Sequence, residues 1–168
     1  QCYTHKILSG RDISLLRTTN GISGFQQRNE SEFDAFEAGH SGTSLSTALG
    51  MAISRDLHKE DFDVVAVIGD GSLACGLGFE ALNDINFNQH KVIIVLNDNG
   101  MSISESVGQL ASLLKANNND AKKLFELFGF DYIGPIDGHN FNDLFNALND
   151  AKKSTNSIIV HVKTIKGK

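Results

Sequence analysis

Three short runs of β-branched and aliphatic residues, 64–68, 92–96 and 158–162, alternate with stretches of helical periodicity. This alternation leaves the chain few folds to choose from. Runs so short and so uniformly apolar read as strands buried on both faces, which belong to parallel sheets. A helix over about 76–87 separates the first two, so they form a βαβ unit whose crossover is right-handed. The first run ends in Gly69-Asp70-Gly71 and the second in Asn97-Asp98-Asn99. Open α/β sheets hold their ligands beyond the carboxyl ends of the strands. The two clusters are therefore expected side by side at that edge.

The remaining elements extend the same pattern. A helix over 43–57 carries Leu45, Leu49, Ala52 and Ile53 on one stripe. A short helix is expected over 107–115, an interruption at Asn117-Asn118-Asn119-Asp120, and a helix over 121–128 closed by Gly129. A strand over 130–133 and a helix over 140–152 precede the last strand. In that helix Phe141, Leu144, Phe145 and Leu148 fall at i, i+3, i+4 and i+7, the spacing of a buried stripe. Residues 1–38 are polar and irregular and read as a long surface loop, a class that tends to be functional. The expected architecture is α/β, a doubly wound, mainly parallel sheet with helices on both faces, in one domain over 1–168.

Charge and composition exclude several classes. A net charge of -5 and a pI near 5.6 argue against a nucleic-acid partner. No apolar stretch approaches the roughly 20 residues that span a bilayer, so no membrane partner is expected. The opening residues lack the apolar segment of a signal peptide. The chain starts at Gln1 rather than Met, and its natural start is expected upstream. Cys2 and Cys75 have no paired spacing, which suits a reducing, cytosolic setting. Cys75 reads as a small residue packed at a helix start rather than as a nucleophile.

Asp70 offers a charged oxygen, Asn99 a neutral one, and a backbone carbonyl such as that of Met101 a third. These are the hard ligands that magnesium takes when phosphates and water complete its octahedron. Gly71 and Ser72 would turn backbone N–H groups toward a diphosphate, at the head of the helix near Gly76. Either dipeptide alone, Asp70-Gly71 or Asn99-Gly100, is equally a turn; the pair, each closing a buried strand, favours the metal site. Gly39-His40-Ser41-Gly42-Thr43 precedes a helix, where anions are attracted. His40 there could donate to a phosphate or shuttle a proton, or be a polar surface residue. Ser41 is no nucleophile of the elbow type, since no strand precedes it. Asp137 and His139 suit a turn as well as a rim to the site.

Gly-Asp-Gly followed some thirty residues later by Asn resembles the diphosphate and magnesium signature of thiamine-diphosphate enzymes. Several stretches are similar to the 1-deoxy-D-xylulose-5-phosphate synthase family in particular. They are Gly21-Ile22-Ser23-Gly24-Phe25, Glu30-Ser31-Glu32-Phe33-Asp34, residues 38–44 with Gly39-His40-Ser41, residues 97–104, and residues 132–139. The resemblance implies a thiamine-diphosphate-binding fold and a magnesium ion held by Asp70, Asn99 and the Met101 carbonyl. It also implies cofactor contacts from Gly39, His40, Ser41, Gly71, Ser72 and Ile103, the last against the thiazolium side, with His40 the candidate catalytic residue. The implied reaction condenses pyruvate with glyceraldehyde 3-phosphate and releases carbon dioxide. The implied setting is a homodimer in the bacterial cytoplasm or a plastid-type compartment.

The chain departs from the family in three ways. The pyrimidine-binding domain, with its activating glutamate, and the domain after it are absent. A cofactor-contacting histidine would lie upstream of Gln1. A few dozen residues expected between Ser104 and the helix at 121 are missing, so the domain reads as truncated at both ends and shortened between 105 and 120. Two other readings remain: half of a split transketolase, which the stretch 21–44 opposes, and a binding module that performs no chemistry. Lys163, Lys166 and Lys168 are expected to steer anionic substrates where the net charge does not.

Overall fold

A computed structural model describes residues 9–87, 89–116 and 118–168, apart from the side chains of Arg11 and Asn118. The chain divides into two compact units, Gln1–Ser41 and Gly42–Lys168.

Among its described residues, the first unit contains one short helix, α1 (Gly10–Ser14), among turns. Its acidic residues do more than solvate a surface. Glu30 accepts from the backbone N–H and hydroxyl of Ser23, Asp34 from the N–H of Gln27, and Glu37 from that of Arg28. Carboxylates thus replace the absent ladder as partners for backbone donors. The expected loop reading holds over residues 9–38 except for α1, and residues 1–8 lie outside the described part.

The second unit is a four-stranded, wholly parallel sheet in the order β1-β2-β4-β3. Its strands are β1 (Val65–Gly69), β2 (Ile93–Asp98), β3 (Asp131–Asp137) and β4 (Ile158–Lys163). Four helices cover one face: α2 (Ser44–His58), α4 (Gly76–Ile85), α5 (Gln109–Ala116) and α6 (Asn118–Leu127). They enclose the larger core, in which Ala66, Ile68, Ile94, Leu96 and Ile159 meet Leu45, Leu82, Leu114 and Phe125. The other face is covered by α7 (Phe141–Lys153), through Leu144, Ala147 and Ala151. The doubly wound α/β reading is correct, with helices on both faces. Among the described residues, no helix is long and apolar enough to cross a membrane.

Three local expectations need correction. The run at 117–120 was expected to interrupt the helices, yet α6 already begins at Asn118, because Asn and Asp suit a first helical turn. The strand expected to stop at 133 continues through Gly134-Pro135 to Asp137 across a register shift between Ile133 and Ile136. Proline is tolerated because β3 is an edge strand. A Cβ on Gly134 would stand 2.4 Å from the His161 carbonyl oxygen, so only glycine fits there. The stripe expected to bury α7 largely misses the core: Phe141 is 86% and Phe145 68% exposed, while the small Ala147 and Ala151 face the sheet. Alanine lets the helix approach the β3–β4 surface closely, and the bulkier positions are turned to one flank.

At the amino ends of the strands, Arg55 donates to Asp56 and to the Phe62 and Lys91 carbonyls, and His90 meets Asp56 at 2.6 Å. The Arg55 contact foremost, and then that of His90, hold the Asp56 carboxyl down at about 2, from 3.8. A lowered folded-state value stabilises the fold above the ordinary carboxyl range and is lost as pH falls through about 2. Asp56→Asn should therefore cost stability at pH 7, up to about 1 kcal/mol because the pair is partly exposed and screened. Acid titrations of unfolding should show the wild-type and mutant curves converge between pH 4 and 2. In chemical denaturation Phe125→Ala, which empties a fully buried position stacked on Tyr132, should cost about 3–5 kcal/mol. Phe145→Ala should cost less than about 1 kcal/mol.

Candidate diphosphate and metal site

The pairing of β1 with β2 sets Gly69 opposite Asn97, so the residues just beyond them leave the sheet together. Asp70 begins α3 (Asp70–Leu73), one turn that precedes α4. Its side chain is buried, with Oδ1 accepting from the Asn99 N–H at 3.4 Å and Oδ2 from the Ser106 hydroxyl at 2.8 Å. Gly71 and Ser72 lie in the first turn of α3, not at the head of α4 as expected; first-turn N–H groups have no carbonyl partner within a helix. A Cβ on Gly71 would meet the Ser102 Cβ at 3.0 Å, so glycine admits the 101–105 turn.

Asn99 and Met101 occupy a tight turn. Gly100 has φ +68°, and the Asn99 Oδ1 accepts from the Met101 N–H at 2.9 Å. Met101 then bridges to Glu105, with Ile103 at the tip and 98% exposed. Lys115 donates to Glu105, and Ser106 returns its N–H to the Gly100 carbonyl. Asp70, Gly71, Asn99 and the 101–106 turn therefore converge. Ser106 was missed by sequence reasoning; a serine seven residues beyond an asparagine carries no recognisable signal.

The donor set fits a hard cation. Asp70 uses two hydrogen bonds against about four lone-pair sites, and the Asn99 oxygen keeps one lone pair after binding Met101. Among the described residues no group of three or more His, Cys, Asp or Glu is placed to hold a metal. That is the expected outcome for a site with a single carboxylate, since magnesium uses few protein ligands.

Gly39, His40 and Ser41 close the first unit, all three exposed, with the Gly39 backbone facing the Phe25 ring. Asp137 and His139 serve the turn after β3. Asp137 accepts from the His139 N–H at 2.9 Å, and His139 Nε2 accepts from the Ile165 N–H at 2.9 Å. Beside them a cleft of about 370 Å³ is lined by Pro135, Ile136, Lys163 and Lys168 among others, and by no residue of the Asp70 site. The expected steering role fails for Lys163, whose ammonium is committed to Asp98 and to the Leu114 carbonyl. Lys166 reaches the Ser102 carbonyl at 2.8 Å.

Next to the turn at 99–101 lies a polar chain that the sequence did not announce. Tyr132 meets His161 Nδ1 at 2.6 Å, His161 Nε2 meets Asp98 at 2.9 Å, and Lys163 closes on the same carboxylate oxygen. Burial pushes the Asp98 carboxyl up, yet hydrogen bonds from His161 and Lys163 outweigh it and hold the carboxyl below its usual range. Burial, and then the Asp98 charge, push the Tyr132 hydroxyl up to about 12.

The profile of 1-deoxy-D-xylulose-5-phosphate synthase matches residues 1–123 and 116–164. The synthase of Clostridium tetani is 44% identical over 210 aligned positions that take in the whole of this chain. The chain belongs to the 1-deoxy-D-xylulose-5-phosphate synthase family. The family's synthases from Clostridium acetobutylicum and Geobacillus are each 42% identical, again across the whole chain. The chain spans about a third of the length of these curated relatives (34% for Clostridium tetani). The alignments run over 210 positions against 168 residues here, so family members carry positions that have no counterpart in this chain.

Gly42, next to the Gly39–Ser41 cluster in sequence, has φ +83°, and a Cβ there would lie 2.0 Å from Cys75 Sγ. Cys75 precedes α4 as its N-cap, in keeping with a small packed residue. Gly42→Ala should destabilise the chain by about 2 kcal/mol or more through strain and overpacking. Adding Cys75→Ala should recover part of that loss in a double-mutant cycle. Cys75→Ala alone should change stability little.

Proposed function

We propose that this chain supplies the diphosphate- and magnesium-binding part of a thiamine-diphosphate-dependent transferase. The proposed reaction joins pyruvate to glyceraldehyde 3-phosphate, giving 1-deoxy-D-xylulose 5-phosphate and carbon dioxide, an entry to isoprenoid precursors. The observation that carries this reading is the buried Asp70 beside Asn99 at the carboxyl ends of two paired strands, in a chain 44% identical to such a synthase.

In this reading Asp70, Asn99 and the Met101 carbonyl hold magnesium, and Gly71 and Ser72 direct N–H groups to the diphosphate. Gly39, His40 and Ser41 contact the cofactor, His40 being the residue able to pass a proton. Ile103, exposed at its turn tip, packs against the thiazolium ring and keeps water from it. When bound, thiamine diphosphate supplies a nucleophilic carbon and an electron sink for loss of carbon dioxide. The chain's residues anchor the charged tail, and an apolar surround favours dispersal of charge as carbon dioxide leaves.

The pyrimidine-binding part comes from polypeptide beyond these residues, in a cytoplasmic homodimer. Support comes from apolar surface left open on the α7 side. Val65 and Val67 of β1 are 50% and 64% exposed, although parallel strands are ordinarily covered on both faces. Lys152 reaches Asp63 at 3.4 Å, which turns the flank of α7 bearing Phe141 and Phe145 toward that open side. The two profile matches overlap at residues 116–123, which supports a shortening of the chain in or beside the stretch 105–120.

Heating the chain with and without thiamine diphosphate and Mg²⁺ tests the pocket. Saturation at a hundred times Kd should stabilise it by about 2.7 kcal/mol, and Asp70→Asn should abolish the shift. No shift in the wild type would sink the cofactor reading. In the full-length protein, turnover with pyruvate but not with a ketose-phosphate donor separates the synthase from a transketolase. Cofactor binding without turnover of either leaves a non-catalytic module.

A further inference from the structure

Asp98 is a buried carboxylate with contacts in two directions. Its Oδ2 accepts from His161 Nε2 at 2.9 Å and from Lys163, both on β4. Its Oδ1 accepts from the Gly100 N–H at 3.2 Å, and its backbone carbonyl from the Thr164 N–H at 2.9 Å. Gly100 is the left-handed residue of the turn, and the next N–H, that of Met101, is held by Asn99. Two consecutive side chains thus hold two consecutive backbone donors, and only the Asp98 side chain is itself tied to the neighbouring strand.

We infer that Asp98 is a positioning residue, through which His161 and Lys163 on β4 fix the turn that presents Asn99 and the Met101 carbonyl to the metal. This rests on the metal-site reading above. The chain of contacts has a direction. The Asp98 carboxylate can only accept, so His161 Nε2 carries a proton toward it, while His161 Nδ1 meets the Tyr132 hydroxyl at 2.6 Å. Three strands are engaged: Tyr132 on β3, His161 and Lys163 on β4, and Asp98 on β2. Packing alone does not account for this arrangement, because well-packed apolar groups often replace a buried charge cluster at no cost to stability. The cluster stands where its last free acceptor meets the ligand-bearing turn.

Lys163 separates positioning from charge by sign. A cation near a metal site repels the metal, so removing it through charge alone tightens metal binding. Removing it as a support of Asp98 loosens the turn and weakens binding. Lys163 is 39% exposed at its side chain, so Lys163→Met should fold. The test uses the full-length enzyme with thiamine diphosphate and Mn²⁺ as the probe, free Mn²⁺ being read by electron paramagnetic resonance. Lys163→Met should raise the Mn²⁺ Kd several-fold, and His161→Leu by about tenfold or more, as for partners that orient metal ligands. His161→Gln, whose amide can still donate to Asp98, should recover part of that affinity.

Mn²⁺ binding by Lys163→Met that is unchanged or tighter overturns the inference, whether or not His161→Leu folds. A His161→Gln variant that folds and binds no better than folded His161→Leu also overturns it. Failure of the wild type to bind Mn²⁺ with the cofactor overturns the metal site itself, a result distinct from either.

Discussion

The parallel pairing of β1 with β2 is the constraint from which the site follows. The register runs from Val65 opposite Ile93 to Gly69 opposite Asn97, with Ala66 and Ile68 of β1 and Ile94 and Leu96 of β2 buried in the larger core. Because side chains alternate along a strand, a slip of one residue would send Ala66 and Ile68 out of the larger core and Val65 and Val67 into it. The same slip would part Asp70 from Asn99. The α2 and α4 helices pack on one side of this pair, so the hydrophobic effect that fixes the core also fixes the distance between a carboxylate and a carboxamide. No separate energy is needed to bring Asp70 and Asn99 together.

Charged groups are kept out of the middle of the sheet and collected at its two ends. At the amino end Arg55, Asp56 and His90 tie the close of α2 to the approach to β2. At the carboxyl end Asp98, His161 and Lys163 tie β2, β4 and the end of α5 together. The two clusters differ in burial and hence in consequence. Asp56 is partly exposed and screened, so its ion pair can add only modestly to stability. Asp98 is almost wholly buried, so the loss of a partner would leave a desolvated carboxylate next to the turn at 99–101.

The strands and helices of the second unit were legible because their signals are local: β-branched runs, helical periodicity and Gly129 as a stop. The convergence of Asp70 and Asn99 was legible because each closes such a run. What escaped depends on partners distant in sequence. Ser106 reaches Asp70 across 36 residues, and His161 reaches Asp98 across 63. The first unit read only as a polar surface loop, yet Glu30 and Asp34 hold backbone donors seven residues earlier. The Glu30 contacts to Ser23 join two of the stretches that carried the family resemblance, Gly21–Phe25 and Glu30–Asp34.

The misreading of α7 has a physical cause that bears on what this chain is for. Periodicity ranks residues by apolar area and assigns the largest to the core, but a helix on a flat parallel sheet is held best by residues that let it come close. Ala147 and Ala151 do this, and the phenylalanines are left exposed on the flank that also carries Lys152, whose ammonium reaches Asp63 just before β1. An apolar flank facing an uncovered apolar strand is an unfinished layer, since water gains access to both surfaces of one gap. A segment closing that gap would bury Val65, Val67 and Phe145 together. The second layer of the sheet would then be completed by the polypeptide that the proposed catalytic site also requires.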